Sequence, residues 1–124
     1  MEKSKKVLLF FIIASLLVIS ILYGIYAYKK SNIAGDTFYY SYTCSHCKNV
    51  EDFMVKNDIT SKVFFQQKEV SQNPTNAQEL IKVGNKCKLP QEKIGTIPLL
   101  YYNGLCYSGD TDIINFLNKT FNNK

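Results

Sequence analysis

The chain of 124 residues contains no arginine and no tryptophan, and it has a single histidine. All 15 basic side chains are therefore lysines, and five of them flank one apolar segment near the N-terminus. Beyond Ser31, ten lysines are offset by nine acidic residues, so the formal charge of +5 belongs mostly to those flanks. A nucleic-acid-binding face needs clustered basic side chains, and no such stripe is visible, so nucleic acid is not expected as a partner.

Charged residues are also missing from Val7 to Ala27, a run of about 21 residues. As a helix this run would be about 31 Å long, which matches the hydrocarbon thickness of a lipid bilayer. A core helix of a soluble protein normally carries a polar face, and this segment has none. We therefore predict a transmembrane anchor over residues 7–28, preceded by a short basic N-terminus over residues 1–6.

A cleavable secretory signal is the main alternative to an anchor, because Lys3, Lys5 and Lys6 provide a suitable basic start. The apolar part of such a signal usually ends within about 15 residues, at an Ala-x-Ala-like site. The only candidate is Ile25-Tyr26-Ala27, a poor match to such a site, so the uncleaved anchor is favoured.

The lysines on the two sides of the apolar segment favour one orientation in the membrane. The N-terminal side carries three lysines and the free amine, whereas the C-terminal side carries Lys29 and Lys30. Cytoplasmic flanks hold the excess of positive charge. We therefore expect a single-pass protein of the cell membrane with a cytoplasmic N-terminus and a C-terminal domain outside the cytoplasm.

One small domain is predicted over residues 37–121, with a linker over residues 29–36 and a tail over residues 122–124. Strands are expected at residues 37–42, 63–70, 99–102 and 105–108, the last two joined by the hairpin signal Asn103-Gly104. A first helix is expected at residues 45–57. A second should start at Asn73-Pro74 and turn one face to the core, formed by Ala77, Leu80, Ile81 and Gly84. A third should be capped by Asp110 or Thr111 and turn four residues to the core: Ile113, Ile114, Phe116 and Leu117. The order β-α-β-α-β-β-α predicts an α/β domain with a four-stranded mixed sheet and helices on both faces.

The motif Cys44-Ser45-His46-Cys47 falls between the first predicted strand and the first predicted helix. Two intervening residues in a helical turn bring the two sulfurs close enough to form and break a disulfide. The helix N-terminus supplies unpaired N–H groups and partial positive charge, which stabilise a thiolate and lower the pKa of the thiol. Cys44 is therefore the expected nucleophile, and Cys47, one turn further and more buried, is expected to resolve the mixed disulfide.

His46, the only histidine, lies inside this motif. Its imidazole can donate a hydrogen bond to the Cys44 sulfur, which would stabilise the reduced thiolate and make the disulfide more oxidising. The alternative is a solvent-exposed histidine without a role.

With this order of strands and helices and with CSHC at the start of the first helix, the sequence resembles the thioredoxin superfamily, and within it the glutaredoxin-like branch. The resemblance covers residues 37–121: a strand, CSHC, a helix, a strand, a helix, Thr96-Ile97-Pro98, a hairpin and a closing helix. It implies a thioredoxin-like fold and a thiol–disulfide oxidoreductase in which Cys44 attacks and Cys47 resolves. It also implies a cis-proline loop at Thr96, Ile97 and Pro98 that holds an extended substrate, whereas the alternative is an ordinary trans proline that starts a strand.

Ser108 to Asp112 is similar to the Gly-Gly-x-x-Asp stretch with which glutaredoxins hold glutathione, but Ser108 replaces the first glycine. This difference argues against glutathione, so we expect no cofactor besides the redox-active Cys44–Cys47 disulfide. The histidine within the motif looks more like the exported disulfide oxidases and isomerases than like the cytosolic reductases.

Cys87 and Cys106 lie outside the motif, and the predicted topology brings them together. The second helix ends near Cys87, on the side of the sheet away from the motif, and Cys106 lies just past the hairpin turn on that same side. We predict a structural disulfide Cys87–Cys106, with two buried free thiols as the alternative. Zinc is not expected, because four-cysteine sites use two closely spaced pairs and only one pair here is CxxC.

The sequence therefore predicts a membrane-anchored thiol–disulfide oxidoreductase that acts on exported protein thiols and disulfides, with an unidentified redox partner that recycles it. One alternative is a thioredoxin-like module that binds a partner or carries a metal without turnover. A copper carrier would be expected to show further methionine or histidine ligands, and only Met54 qualifies. The other alternative is a cytoplasm-facing reductase of glutaredoxin type.

Overall fold

The computed structural model describes residues 1–31 and 35–122, and the chain divides into two compact units between residues 33 and 34. The N-terminal unit contains one helix, α1 (Glu2–Ser31). The most apolar window within Glu2–Tyr26 has a mean hydropathy of 2.8, and none of that window is buried. The helix is therefore long and apolar enough to cross a membrane, as the sequence predicts.

The predicted linker and tail are only partly described. Because α1 continues through Ser31, the first residues of the predicted 29–36 linker are helical. Residues 32–34 of the linker and residues 123–124 of the tail lie outside the described residues. The orientation of α1 in a membrane stays a prediction.

The C-terminal unit is built on a four-stranded mixed sheet, which confirms that part of the predicted fold. Its strands are β1 (Thr37–Tyr40), β2 (Gln66–Glu69), β3 (Leu99–Tyr102) and β4 (Leu105–Ser108), in the spatial order β2-β1-β3-β4. β1 is parallel to β2 and antiparallel to β3, and β3 is antiparallel to β4. The β3–β4 hairpin turns at Asn103 and Gly104, whose positive φ angles of 47° and 83° suit these two residue types.

Helices cover both faces of this sheet. They are α2 (Ser45–Lys56), α3 (Ile59–Lys62), α4 (Pro74–Lys86) and α5 (Asp110–Leu117). Successive strand side chains point to opposite faces of a sheet. Phe38 and Leu100 accordingly pack in one core with residues of α2, α3 and α5, whereas Tyr39 and Leu99 pack in a second core with residues of α4.

The carboxyl ends of β1, β2 and β4 lie at one edge of the sheet, because these three strands run in the same direction. Helices α2, α4 and α5 each follow one of these strands and therefore begin at that edge. β3 also begins there, since Leu99 pairs with Tyr39 of β1 and with Ser108 of β4. The fold therefore gathers Cys44, Pro98 and Asp110 at a single edge.

Two predicted strands are shorter than expected. β1 ends at Tyr40 and not at residue 42, because the Ser41 carbonyl accepts the Cys44 N–H at 3.1 Å and closes a turn. β2 begins at Gln66 and not at residue 63. The single-turn helix α3, which was not predicted, lies between α2 and the strand, and the Val63 N–H is bonded to the Ile59 carbonyl at its end. The fully buried side chain of Ile59 fixes α3 against the core.

The inward face of α4 differs from the prediction at one position. Leu80, Val83 and Gly84 are buried at the spacing i, i+3, i+4, which defines one stripe of the helix. Ile81 was expected on this stripe but is 46% exposed, because it is turned about 100° around the helix axis from Leu80.

The start of α5 also differs from the prediction. Gly109, with a φ of 93°, precedes the helix and provides no side-chain cap. Asp110, one of the two residues expected to cap the helix, is instead its first residue, so its carboxylate is available for contacts with another element. Ile113 and Leu117 are buried as expected, and Ile114 and Phe116 are partly buried against the same core.

A disulfide joins Cys87, the C-cap of α4, to Cys106 in β4, with Cα atoms 6.0 Å apart. Both cysteines are half-buried and pack against the core beside α4. The bridge closes the stretch of chain that includes Thr96, Ile97, Pro98 and β3. It therefore ties the end of α4 to the hairpin on the edge away from Cys44.

Replacing Cys87 and Cys106 together by alanine should lower the free energy of unfolding by about 3 kcal/mol, because the bridge closes a loop between cysteines 19 positions apart. The measurement is urea unfolding of the full chain in lipid nanodiscs, monitored by the near-ultraviolet circular dichroism of its tyrosines. The variant Cys44→Ala with Cys47→Ala opens a loop of only three positions and is the matched control, with a smaller expected loss. Equal stability of the wild type and the Cys87, Cys106 variant would contradict a structural role for the bridge.

Candidate active site

Cys44 and Cys47 form a disulfide at the start of α2, with Cα atoms 5.2 Å apart. Cys44 is the residue before the helix and has an extended backbone (φ −92°, ψ 109°). The backbone N–H of Cys47 donates to the Cys44 Sγ at 3.1 Å. The sulfur therefore occupies the position that a serine, threonine or aspartate oxygen takes at an ordinary helix N-cap.

A short turn after β1 delivers Cys44 to this position. The Ser41 carbonyl accepts the Cys44 N–H at 3.1 Å, and the buried Ser41 hydroxyl accepts the Thr43 N–H at 3.3 Å. The same hydroxyl donates to the Ser71 Oγ at 3.0 Å, which links this turn to the turn after β2. Ser41 thus supports the candidate site, although no sequence motif pointed to it.

The two cysteines of the motif differ in burial. Cys47 is 1% exposed and packs with Phe38 and Val50 in the core beside α2. Cys44 is half-buried and lies at the border of the same core. A thiolate arriving from solvent therefore reaches the sulfur of Cys44 more easily than that of Cys47, which is the order that the sequence predicts.

His46 and Asn49 both contact a carboxylate of another helix. The His46 Nδ1 lies 2.9 Å from Oδ2 of Asp110, and the Asn49 side-chain amide donates to the same oxygen at 2.8 Å. His46 is 68% exposed, whereas the Asp110 side chain is only 21% exposed. A hydrogen bond from His46 to the Cys44 sulfur stays a prediction; the hydrogen bond in this structure joins the ring to Asp110.

The Asp110 carboxyl group is ionised at neutral pH. The hydrogen bond from Asn49, followed by the hydrogen bond from His46, lowers the pKa of Asp110 from its ordinary value of 3.8 to about 2. Its other oxygen accepts the Thr111 N–H at 3.0 Å, at the N-terminus of α5, where the helix dipole favours an anion. The site therefore combines a fixed negative charge with the sulfur pair.

Sequence reasoning missed Asn49 and this role of Asp110. His46 and Asn49 are three residues apart and therefore neighbours on one side of a helix, which was an available signal. Their partner is 64 positions from His46, and only the placement of α5 beside α2 brings it into contact.

The Thr96-Ile97-Pro98 segment lies directly before β3, at the same edge of the sheet as Cys44. The Ile97–Pro98 peptide bond is cis, Pro98 is buried, and its carbonyl accepts the Gly109 N–H at 3.0 Å. Ile97 is half-buried and packs against the core that includes Cys44 and Cys47. Within residues 35–122, neither the N–H nor the C=O of Ile97 has a hydrogen-bond partner, whereas the exposed Thr96 donates its hydroxyl to the Lys93 carbonyl.

The chemistry of the site has to be inferred from its own residues. In comparisons with known proteins, no family model, no curated protein and no solved structure matches the chain. All four cysteines are paired in two disulfides. The Cys44–Cys47 disulfide, with one accessible and one buried cysteine at a helix N-terminus, is compatible with a redox-active CxxC pair.

After reduction, the pKa of the Cys44 thiol should lie below that of an ordinary cysteine, because the Cys47 N–H and the N-terminus of α2 stabilise the thiolate. In the Cys47→Ser variant, Cys44 is the only free thiol and should react with iodoacetamide at pH 7 about tenfold faster than Cys47 does in the Cys44→Ser variant. Alkylation rates measured against pH give both pKa values. Equal rates for the two thiols would contradict the assignment of Cys44 as the nucleophile.

Asp110→Asn should destabilise the protein at neutral pH but not at strongly acidic pH. The folded protein binds the Asp110 proton more weakly than the unfolded chain does, so the stability from this carboxylate is fully present above about pH 4 and is lost as the pH falls towards 2. Unfolding midpoints at pH 7 and at pH 1.5, below the pKa of Asp110 in the folded protein, measure the difference. Asp112→Asn is the control, because it removes a carboxylate from the same turn of α5 without touching the His46 contact. If the difference in stability between the wild type and Asp110→Asn is the same at both pH values, the assignment is contradicted.

Proposed function

We propose that this chain is a membrane-anchored thiol–disulfide oxidoreductase that acts on cysteines of exported proteins through the Cys44–Cys47 pair. The observation that carries the proposal is the position of the Cys44 sulfur, which accepts the Cys47 N–H at the start of α2 while Cys47 itself is buried. Such an arrangement stabilises a thiolate on the one cysteine that an outside thiol can reach.

The exchange takes two steps and moves two electrons. In the oxidising direction, a substrate thiolate attacks the Cys44 sulfur, the Cys44–Cys47 bond breaks, and Cys47 leaves as a thiolate. A second substrate thiolate then attacks the substrate sulfur of this mixed disulfide, forms the substrate disulfide and releases Cys44 as a thiolate. A redox partner restores the Cys44–Cys47 disulfide by accepting the two electrons, and the same steps in reverse reduce a substrate disulfide.

The stabilised thiolate serves both directions of this exchange. When a substrate is oxidised, Cys44 leaves as a thiolate that the Cys47 N–H stabilises. When a substrate is reduced, the same stabilisation keeps Cys44 ionised at neutral pH, which is the form that attacks a disulfide. A hydrogen bond from the second ring nitrogen of His46 to the Cys44 sulfur is part of the proposal and would add to this stabilisation, because only Nδ1 is engaged by Asp110.

A thioredoxin-like fold is part of the proposal. In its support, the CxxC motif lies at the junction of β1 and α2, and Pro98 directly precedes the antiparallel strand β3 at the same edge. The N–H and C=O of Ile97, which have no partner among residues 35–122, suit an extended substrate that would pair with them as an added strand does. Thr96, Ile97 and Pro98 would then hold the substrate beside Cys44.

The proposed location follows from α1 and its flanking lysines. An apolar helix of this length fits a single membrane span, and the three lysines before it favour a cytoplasmic N-terminus. The C-terminal unit would then face an oxidising compartment, where disulfides form and persist. A reporter fused after Lys124 should be active only outside the cytoplasm, and activity inside would support a cytoplasm-facing reductase.

The test of function uses the full chain in nanodiscs, with oxidation of a reduced, unfolded protein and reduction of insulin as the two assays. The wild type should catalyse at least one of them, and Cys44→Ala should lose activity by about a hundredfold or more, because the nucleophile is gone. Cys47→Ala should instead accumulate the mixed disulfide, which mass spectrometry detects. A wild type that binds protein partners but turns over in neither assay would identify a binding module.

The reduction potential of the Cys44–Cys47 pair separates the possible directions. A value of roughly −120 mV would indicate an oxidase, and a value of roughly −270 mV would indicate a reductase. Equilibration with glutathione buffers, followed by alkylation and mass determination, gives this potential.

A further inference from the structure

A cleft of about 350 Å³ lies beside α2 in the C-terminal unit. We name it the Tyr42 cleft; it is lined mainly by Tyr40, Tyr42, Glu51, Met54 and Val55. Its volume is at the lower end of the range for ligand pockets, which suits one large side chain better than a complete small-molecule ligand.

One wall of the Tyr42 cleft is apolar and open to solvent, and Thr60 and Gln67 add polar groups to the lining. Tyr42 is 73% exposed and Val55 is 76% exposed, whereas Met54 is buried and forms part of the core below them. The Tyr40 ring meets the Tyr42 ring edge-on at 5.4 Å and stacks on the Phe38 ring at 5.9 Å. The aromatic wall is therefore supported from the core and does not need to form when a ligand arrives.

The cleft lies on the same side of α2 as Cys44. Glu51 and Val55 follow Cys44 by about two and about three helical turns, so they lie on the side of α2 that begins at Cys44. The rise from Cys44 to Glu51 is about 10 Å along the helix. An extended polypeptide covers that distance in about three residues.

Glu51 gives the cleft a charge preference. Its side chain is half-buried, and within residues 35–122 it takes part in no ion pair, whereas the adjacent Asp52 is paired with Lys48 at 2.9 Å. A half-buried carboxylate beside apolar walls favours a ligand that carries a basic side chain next to an apolar one.

From these observations we infer that the Tyr42 cleft is a substrate subsite, which binds an apolar side chain about three residues from the substrate cysteine, with a basic side chain directed to Glu51. The occupant is an extended segment of an unfolded exported polypeptide, because a folded protein buries most of its large apolar side chains. This inference rests on the proposed exchange at Cys44 and adds a sequence preference to it.

The experiment measures how fast thiol peptides reduce the Cys44–Cys47 disulfide of the full chain in nanodiscs. One peptide has a cysteine, a phenylalanine three residues away and a neighbouring lysine; in its counterparts serine replaces phenylalanine, or glutamate replaces lysine. Dithiothreitol serves as the reference thiol. The wild type should react about tenfold faster with the phenylalanine peptide than with the serine peptide.

Variants of the cleft should change this preference in distinct ways. Tyr42→Ala should reduce the phenylalanine preference to about twofold or less, and Tyr42→Phe should restore it because the ring is kept. Glu51→Gln should lower the preference for lysine over glutamate by about threefold. Phe64→Ala is the matched control, because Phe64 is an exposed aromatic residue (80%) outside the cleft lining and should leave all rates unchanged.

The outcomes distinguish the inference from the proposed function. If dithiothreitol and all peptides fail to reduce the Cys44–Cys47 pair, both are overturned. If the thiols react but the wild type does not prefer phenylalanine, or if Tyr42→Ala and Phe64→Ala behave alike, the subsite is overturned and the exchange chemistry stands. A preference that depends on Tyr42 and Glu51 supports the subsite.

Discussion

The hydrogen bond from the Cys47 N–H to the Cys44 sulfur is the interaction on which the candidate site depends. It exists only because the chain turns sharply after β1 and begins α2 at once, and the buried Ser41 hydroxyl supports that turn. Val50 and Met54 then fix α2 on the sheet. Burial of Cys47 is part of the same packing, so the core that stabilises the helix also makes the two cysteines unequal. The unequal burial of the two cysteines and the stability of α2 therefore have a common structural origin.

Sheet topology determines what surrounds this bond. Three strands run in one direction, so the N-termini of α2, α4 and α5 meet the sheet at one edge. Each N-terminus is satisfied differently: Cys44 caps α2 with sulfur, Asn73 caps α4 through its side-chain oxygen, and Asp110 places a carboxylate in the first turn of α5. Only at α2 is the capping group a sulfur, which can take part in thiol–disulfide exchange.

Local signals in the sequence were sufficient for much of the fold. Asn103-Gly104 specifies its hairpin through backbone conformation alone, and Asn73-Pro74 specifies the start of α4 through its cap. The predicted topology also brought Cys87 and Cys106 together, and the structure joins them. The insertion of α3 and the contact of His46 with Asp110 were not predictable in this way. Both depend on how distant segments pack, and no local pattern encodes the angle at which α5 lies beside α2.

The two sides of α2 would then control different aspects of the reaction at Cys44. His46 and Asn49 face α5 and its anion, whereas Glu51 and Val55 lie about 140–180° further around the helix from His46, in the Tyr42 cleft. The negative charge of Asp110 opposes a nearby thiolate, while the helix N-terminus favours it, so the balance between them bears on the reduction potential. The Tyr42 cleft would offer apolar contact to a substrate through residues that follow Cys44 by about two and three helical turns. If the proposed function holds, redox potential and substrate preference would depend on different residues of one short helix and could be changed separately by mutagenesis.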